Sequence, residues 1–260
     1  MLKARRIKDI YSCRHILYDM AVNQLKAKYA GSRLGIWWAV IIPLLLALSI
    51  NFVFEAISKI TIVNYTIFVL SGILPWLFFM GALNEATNSF VVNASILKQS
   101  RCPQEFIPVS IILANLLNFF IGFIFLLPLF VIVNLKVLLM LPFLLIIIAL
   151  EVFFIMGLGL IFSTLNVFFR DLTHFLSVGF TVWFWITPIF YSLEMVSFPY
   201  RWICLFNPMT LFVLFYQKIL FEAQVPSARF LLTVFVITMI SFISGCIVFI
   251  KKESELLKRI

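Results

Sequence analysis

Residues Val137–Leu165 read VLLMLPFLLIIIALEVFFIMGLGLIFSTL, an apolar run interrupted by one charge, Glu151. An α-helix needs about 20 apolar residues to cross a hydrocarbon core about 30 Å thick, and this run supplies them. Five further runs take the same reading: Leu34–Ile57, Tyr65–Leu83, Ile107–Val133, Phe175–Tyr191 and Phe230–Ile250. Phe175–Tyr191 is marginally short. The runs are continuous rather than alternating, and backbone groups cannot go unpaired in lipid, so they are helices and not barrel strands. The expected fold is an all-α polytopic membrane protein with six transmembrane helices, forming a single transmembrane domain over residues 1–260.

Composition and charge placement agree. Hydrophobic residues make up 63% of the 260 and charged residues 12%, against about half and a quarter in soluble domains. The net charge of +9 is a topology signal. With both termini inside, 15 Lys and Arg fall on the cytoplasmic side and 5 outside, the asymmetry of the positive-inside rule. Nucleic acid is therefore not the expected partner; membrane lipids are. The first 30 residues lack the apolar core and cleavage site of a signal peptide. Cys13, Cys102, Cys204 and Cys246 have no metal-ligand spacing, and no metal site is expected.

The segments between the runs carry the functional hints. Residues 1–30 combine early cations with Ile10, Cys13, Leu17, Met20 and Ala21 at three- and four-residue steps, a pattern for an amphipathic helix at the inner interface. The bland alternative is a solvated leader. Gly31 and Gly35 in YAGSRLGIWW (Tyr29–Trp38) permit a bend, and Trp37 and Trp38 suit the headgroup level. Asn84–Phe106 is the largest internal cytoplasmic loop, a short helix stopped by Pro103; its candidate coupling residues are Ile96, Leu97, Lys98, Arg101, Pro103 and Glu105. In 192–229 the Asn207-Pro208 step interrupts an apolar stretch. Two short helices that dip into the outer leaflet and return are expected there, rather than a seventh span.

No phosphate-cradling G-x-x-x-x-G-K-[ST] run, H-E-x-x-H or G-x-S-x-G is present. Glu151 lies mid-span, where an unpaired carboxylate costs on the order of 2.5 kcal/mol, so it faces the bundle interior in a structural or a functional role. Glu55 and Glu85, near span ends, read as solvated. Trp183 and Trp185 lie within a span, and with Trp37 and Trp38 they are candidates for an aromatic surface over which a glycan slides. Packing or lipid contact is the bland reading for each. Arg33 and Arg170 sit at cytoplasmic mouths, either as topology anchors or as guanidinium partners of a diphosphate.

YAGSRLGIWWAVIIPLL (Tyr29–Leu45), LSGILPWLFF (Leu70–Phe79), LNVFFRDLTHF (Leu165–Phe175), WFWITPIFY (Trp183–Tyr191) and NPM (Asn207–Met209) together resemble the membrane permease of ABC-type polysaccharide exporters, which handle O-antigen, capsule and teichoic acid. The resemblance runs over nearly the whole chain. It implies a homodimer of six-helix permeases in the bacterial inner membrane, with both termini cytoplasmic and two separate ATP-binding-cassette subunits. The permease itself holds no cofactor, since ATP and Mg bind the partner. The implied cargo is an undecaprenyl-diphosphate-linked polysaccharide, and the Leu-Gly-Ile-Trp-Trp motif looks more like the O-antigen and teichoic-acid branches. A coupling helix in 84–106 and gating helices in 192–229 follow from the same resemblance. The other function classes weighed, a secondary transporter and a membrane enzyme acting on lipid-linked sugars, lack a chain of intramembrane ion ligands and a polar catalytic cluster respectively.

The topology is testable with single-cysteine variants. An impermeant thiol reagent applied to whole cells leaves Cys102 unlabelled; labelling there from outside overturns the six-span arrangement.

Overall fold

The computed structural model describes residues 13–56, 62–94 and 103–259. Nine α-helices lie among the described residues: α1 Arg14–Tyr29, α2 Trp38–Ala56, α3 Tyr65–Val92, α4 Phe106–Val133, α5 Val137–Phe168, α6 Leu172–Ile186, α7 Arg201–Phe206, α8 Pro208–Leu220 and α9 Ala228–Arg259. The described part of the chain is an all-helical bundle. Five of these helices are long and apolar enough to cross a membrane: α2 with its leading turn, α3, α4, α5 and α9.

The sixth expected span differs. Phe175–Tyr191 contributes α6, 15 residues ending at Ile186, which at 1.5 Å per residue extends about 22 Å. The physical reason is Pro188. A residue before proline is disfavoured as α-helical, and Thr187 is extended at φ −81° and ψ 131°. Asn207-Pro208 acts in the same way, separating α7 from α8 as the sequence suggested. The expected loop 84–106 is also shorter than its boundaries, because α3 continues to Val92. Ile96, Leu97, Lys98, Arg101 and Cys102 lie outside the described residues.

Helix α3 forms the centre, with 18 of its 28 residues buried. The short α8 is buried in the same core, at 10 of 13 residues, whereas α6 buries only Phe180. One apolar core unites α3, α4, α5, α8 and the 187–191 return. A smaller cluster of Phe90, Ile107, Leu160, Phe249 and Leu256, with Met20 against it, gathers the ends of α3, α5 and α9 and the start of α4 beside α1. This end of the bundle, called proximal below, carries both extremities of the described chain. On α1 the less exposed positions are Leu17, Met20, Ala21, Val22, Gln24, Leu25 and Tyr29, a face that packs on the bundle and is apolar except for Gln24 and the Tyr29 hydroxyl.

The tightest contact joins α5 to α9. A Cβ built on Gly157 would meet the backbone of Ser241, and one on Gly245 the backbone of Gly157. Ser241 Oγ donates to Phe154 O at 2.9 Å across the crossing. Between lipid-embedded helices the hydrophobic effect is weak, and such small-residue contact with interhelical hydrogen bonds supplies the association. Gly157→Leu and Gly245→Leu are expected to cut folded, detergent-stable protein several-fold, whereas Gly179→Leu, with open space around it, leaves the yield unchanged. Equal yields for all three on size-exclusion chromatography would exclude the crossing.

Candidate functional site

At the proximal end the chain leaves α1 through Gly31-Ser32-Arg33-Leu34-Gly35. Gly31 at φ 77° and Gly35 at φ 52° occupy the left-handed region, which costs other residues roughly 1–2 kcal/mol each. Ser32 Oγ accepts from Gly35 N at 3.1 Å and fixes the turn into α2. Arg33 is exposed on this hinge.

Behind the hinge lies a cavity of about 450 Å³, walled by α1, α2, α3 and α4. Pro43, Gly81 and Gly122 lie in its wall among larger apolar residues such as Ile42, Leu77 and Phe119. Helices α2 and α4 converge at Gly122, where a Cβ would stand 2.5 Å from Ala39 O. The polar edge is a closed ring from three elements. Lys28 Nζ donates to Glu85 Oε1 at 2.9 Å and to Asn115 Oδ1 at 2.8 Å, while Asn115 Nδ2 donates to Glu85 Oε2 at 2.7 Å. Beside it the Tyr29 hydroxyl donates to Asn118 Oδ1. Burial first, and then the Glu85 carboxylate, hold the Tyr29 hydroxyl above its ordinary value, so it stays a donor. A half-exposed ion pair is worth about 0–1 kcal/mol; the ring chiefly fixes α1 against the two helices flanking residues 93–105.

The structure separates the sequence candidates. Trp37 is 52% exposed and its ring lies 5.2 Å from that of Phe125, while Trp38 lines the cavity. Trp183 and Trp185 stand on different sides of the last turn of α6. Trp183 packs on Trp76, Phe79 and Phe180, and Trp185 is 58% exposed. Glu151 is fully buried and accepts from the Tyr216 hydroxyl at 2.6 Å through Oε2. Arg170 is exposed at the α5–α6 turn. Pro103 and Glu105 form the turn that starts α4: Pro103 O accepts from Phe106 N at 3.1 Å, and Glu105 O from Val109 N at 3.2 Å. Glu85, read as solvated, is paired.

Four functional-looking residues escaped the sequence reading. Asn115 and Asn118 are two amides one helical turn apart in an otherwise apolar run, a visible signal. Lys28 disappeared among the cations of the leader. Tyr216 carried no signal, since nothing local links it to Glu151.

A second polar knot lies where α6 returns. Asn207 Oδ1 caps α8 by accepting from Met209 N at 2.9 Å and also accepts from Trp183 Nε1; its Nδ2 donates to Thr187 Oγ1 at 2.7 Å. Gln217 Nε2 donates to Pro188 O at 2.9 Å, and the Tyr65 hydroxyl to Phe190 O at 2.5 Å.

Comparison with known proteins follows this geometry. The ABC-2 type transporter family matches residues 19–221. An O-antigen export system permease protein RfbA of Klebsiella pneumoniae is 32% identical over 245 residues, covering 90% of this chain and 92% of that protein. A second from the same organism is 30% identical over 213 residues, 78% and 80% of the two chains. One from Myxococcus xanthus is 26% identical across 96% of this chain and 97% of its own.

Removing the Asn207 side chain deletes a cap worth about 0.5–2 kcal/mol and leaves buried polar partners unpaired at about 1–3 kcal/mol each. Asn207→Ala is therefore expected to lower the melting temperature of the purified protein by several degrees, and Trp185→Ala to leave it unchanged. The knot is disproved if the two variants melt together.

Proposed function

Because the chain belongs to the ABC-2 type transporter family, we propose that it is the membrane permease of an ATP-driven exporter that carries a polyprenyl-diphosphate-linked polysaccharide out of the cytoplasm. Full-length similarity to O-antigen export permeases is the observation that carries the cargo class, and it favours an O-antigen-like glycan over teichoic acid or capsule. The proximal end faces the cytoplasm of a bacterial inner membrane, a reading supported by the 15-to-5 distribution of cations that this orientation gives. Both termini are then cytoplasmic.

Arg33 on the glycine hinge and Arg170 at the start of α6 stand exposed at this end, where guanidinium groups match phosphate oxygens in pairs. They receive the diphosphate. Trp37, Trp38 and Trp185 offer aromatic faces to the moving glycan, and such faces hold a polymer without reading its sequence. Trp183 has its indole fixed by Asn207 and serves the path by shaping it. Glu151 ties α8 to α5 through Tyr216 and so holds the gating segment in register.

A second copy of the chain completes the path. Helix α6, too short for the core, exposes Phe175, Val178, Val182 and Trp185 on one face, which suits a homodimer. Two ATP-binding-cassette subunits supply the energy and bind ATP and Mg. Their contact is the 93–105 connection, through Ile96, Leu97, Lys98, Arg101, Pro103 and Glu105. Interface segment, coupling connection and gating segment are parts of one permease domain.

Purification with the cognate ATPase is expected to give a two-plus-two complex that moves a lipid-linked glycan into proteoliposomes only with ATP. Arg101→Glu or Glu105→Lys is expected to lower transport and substrate-stimulated hydrolysis together while membrane insertion persists. Robust hydrolysis by this chain alone, or transport without ATP, sinks the reading.

A further inference from the structure

A second cavity, about 370 Å³, adjoins the first at the proximal end, and Lys28 lines both. Amides and a hydroxyl line it, from Gln24 of α1 and from Asn84, Asn88, Ser89 and Asn93 along the last turns of α3. Where the end of α1 passes between these two spaces, Lys28 and Tyr29 supply hydrogen bonds to the neighbouring helices.

The ring there is a triangle. Lys28, Glu85 and Asn115 are each bonded to the other two at 2.7 to 2.9 Å, so the three helices cannot slide past one another without losing a bond. Asn115 is 4% exposed, and its Nδ2 also donates to Ile111 O on its own helix at 3.0 Å. Gly81, one turn before Glu85, makes room for it: a Cβ there would stand 3.2 Å from Asn115 Oδ1. Glu85 lies two turns before the end of α3 and Asn115 two and a half turns into α4. Both helix ends that bound the 93–105 connection therefore enter the triangle, and α1 is its third corner. Beyond α1 the chain is free to turn, since a Cβ at Gly31 or Gly35 would meet nothing within 4 Å. A fixed corner followed by an open joint passes a displacement on rather than absorbing it.

We infer that Lys28, Glu85 and Asn115 are positioning residues for export, handing a displacement of the 93–105 connection to α1 and, through the glycine hinge, to the α2 wall of the first cavity. This rests on the exporter reading above and adds which side chains carry the ATPase's work to that wall. They act through α1 rather than on the cargo. Half-exposed ion pairs contribute little to stability, so the loss of the triangle shows in coupling before it shows in folding.

The permease–ATPase complex is reconstituted in proteoliposomes, and export of undecaprenyl diphosphate bearing a short glycan is measured together with ATP hydrolysis. Lys28→Met and Glu85→Gln are expected to lower export per ATP about five- to tenfold, the low end of coupling between separate sites. Basal hydrolysis and the melting temperature stay as in wild type, and Lys28→Arg retains coupling. Lys28→Met, at the cavity rim, carries the test should Glu85→Gln not assemble. Lys28→Glu and Glu85→Lys each uncouple, and their combination restores part of the coupling. Asn115 both donates and accepts, so its turned amide serves the exchanged pair, at the loss of its bond to Ile111 O. A second readout places spin labels at exposed Asn23 of α1 and Ser254 of α9: ATP changes their separation in the wild type and not in Lys28→Met. Unchanged export per ATP in Lys28→Met, a loss that follows the melting temperature, or an exchanged pair no better than the single reversals each overturns the assignment. A wild-type complex that shows the change in separation, lost in Lys28→Met, but exports no glycan refutes the exporter reading and leaves the tie standing.

Discussion

A polypeptide that stops being helical inside a hydrocarbon layer must find new partners for the backbone groups it frees. This chain breaks its helices twice in close succession among apolar neighbours, at Thr187-Pro188 and at Asn207-Pro208, and the two breaks repair each other. Asn207 caps one helix, holds the threonine that ends the other and accepts the indole of Trp183. Gln217 and Tyr65 reach from neighbouring helices to the carbonyls of Pro188 and Phe190. The exchange anchors the first turn of α8 and its Gln217, beside the bond of Tyr216 to Glu151 and the apolar packing of the helix. The central place of α3, which packs on α8 and the return, follows in turn.

The same logic distributes polarity through the molecule. In the core, polar groups tie one helix to the next, as with Glu151 and Tyr216 or the Asn207 knot. At the proximal end they become numerous and shared, with Lys28, Glu85 and Asn115 closing a ring. The first kind of contact positions helices. The second surrounds cavities, and it does so where α1, α3 and α4 approach the segment proposed to meet the ATPase. Under that proposal, a push on the connection would reach the cavity walls through helix ends that share side-chain bonds.

Much of the architecture was readable from patterns with one physical cause each. Uninterrupted apolar runs gave the long helices, Asn207-Pro208 gave the break between α7 and α8, and Gly31 and Gly35 gave the hinge. Phe175–Tyr191 misled as a full span because hydropathy continues past Ile186 while Pro188 does not permit the helix to do so. The extension of α3 to Val92 was hidden by its polarity: Asn84, Glu85, Asn88 and Ser89 look like loop residues but stack along one helix flank. Long-range pairs such as Lys28 with Glu85, 57 residues apart, leave no trace in local sequence. The second amide-lined cavity belongs to this class, since it exists only once α1 folds back on α3.

The backbone-to-backbone crossing of Gly157 and Gly245 has a practical corollary. Helices held that closely behave as one strut, and α9 continues that strut to Arg259, where Lys252 and Arg259 embrace the Phe168 ring at the end of α5. The last turns of α9 are thus tied to the end of α5 and form one mast with it. A fluorophore placed on the mast gives spectroscopy a reference point from which distances to α1 and α6 can be followed during turnover.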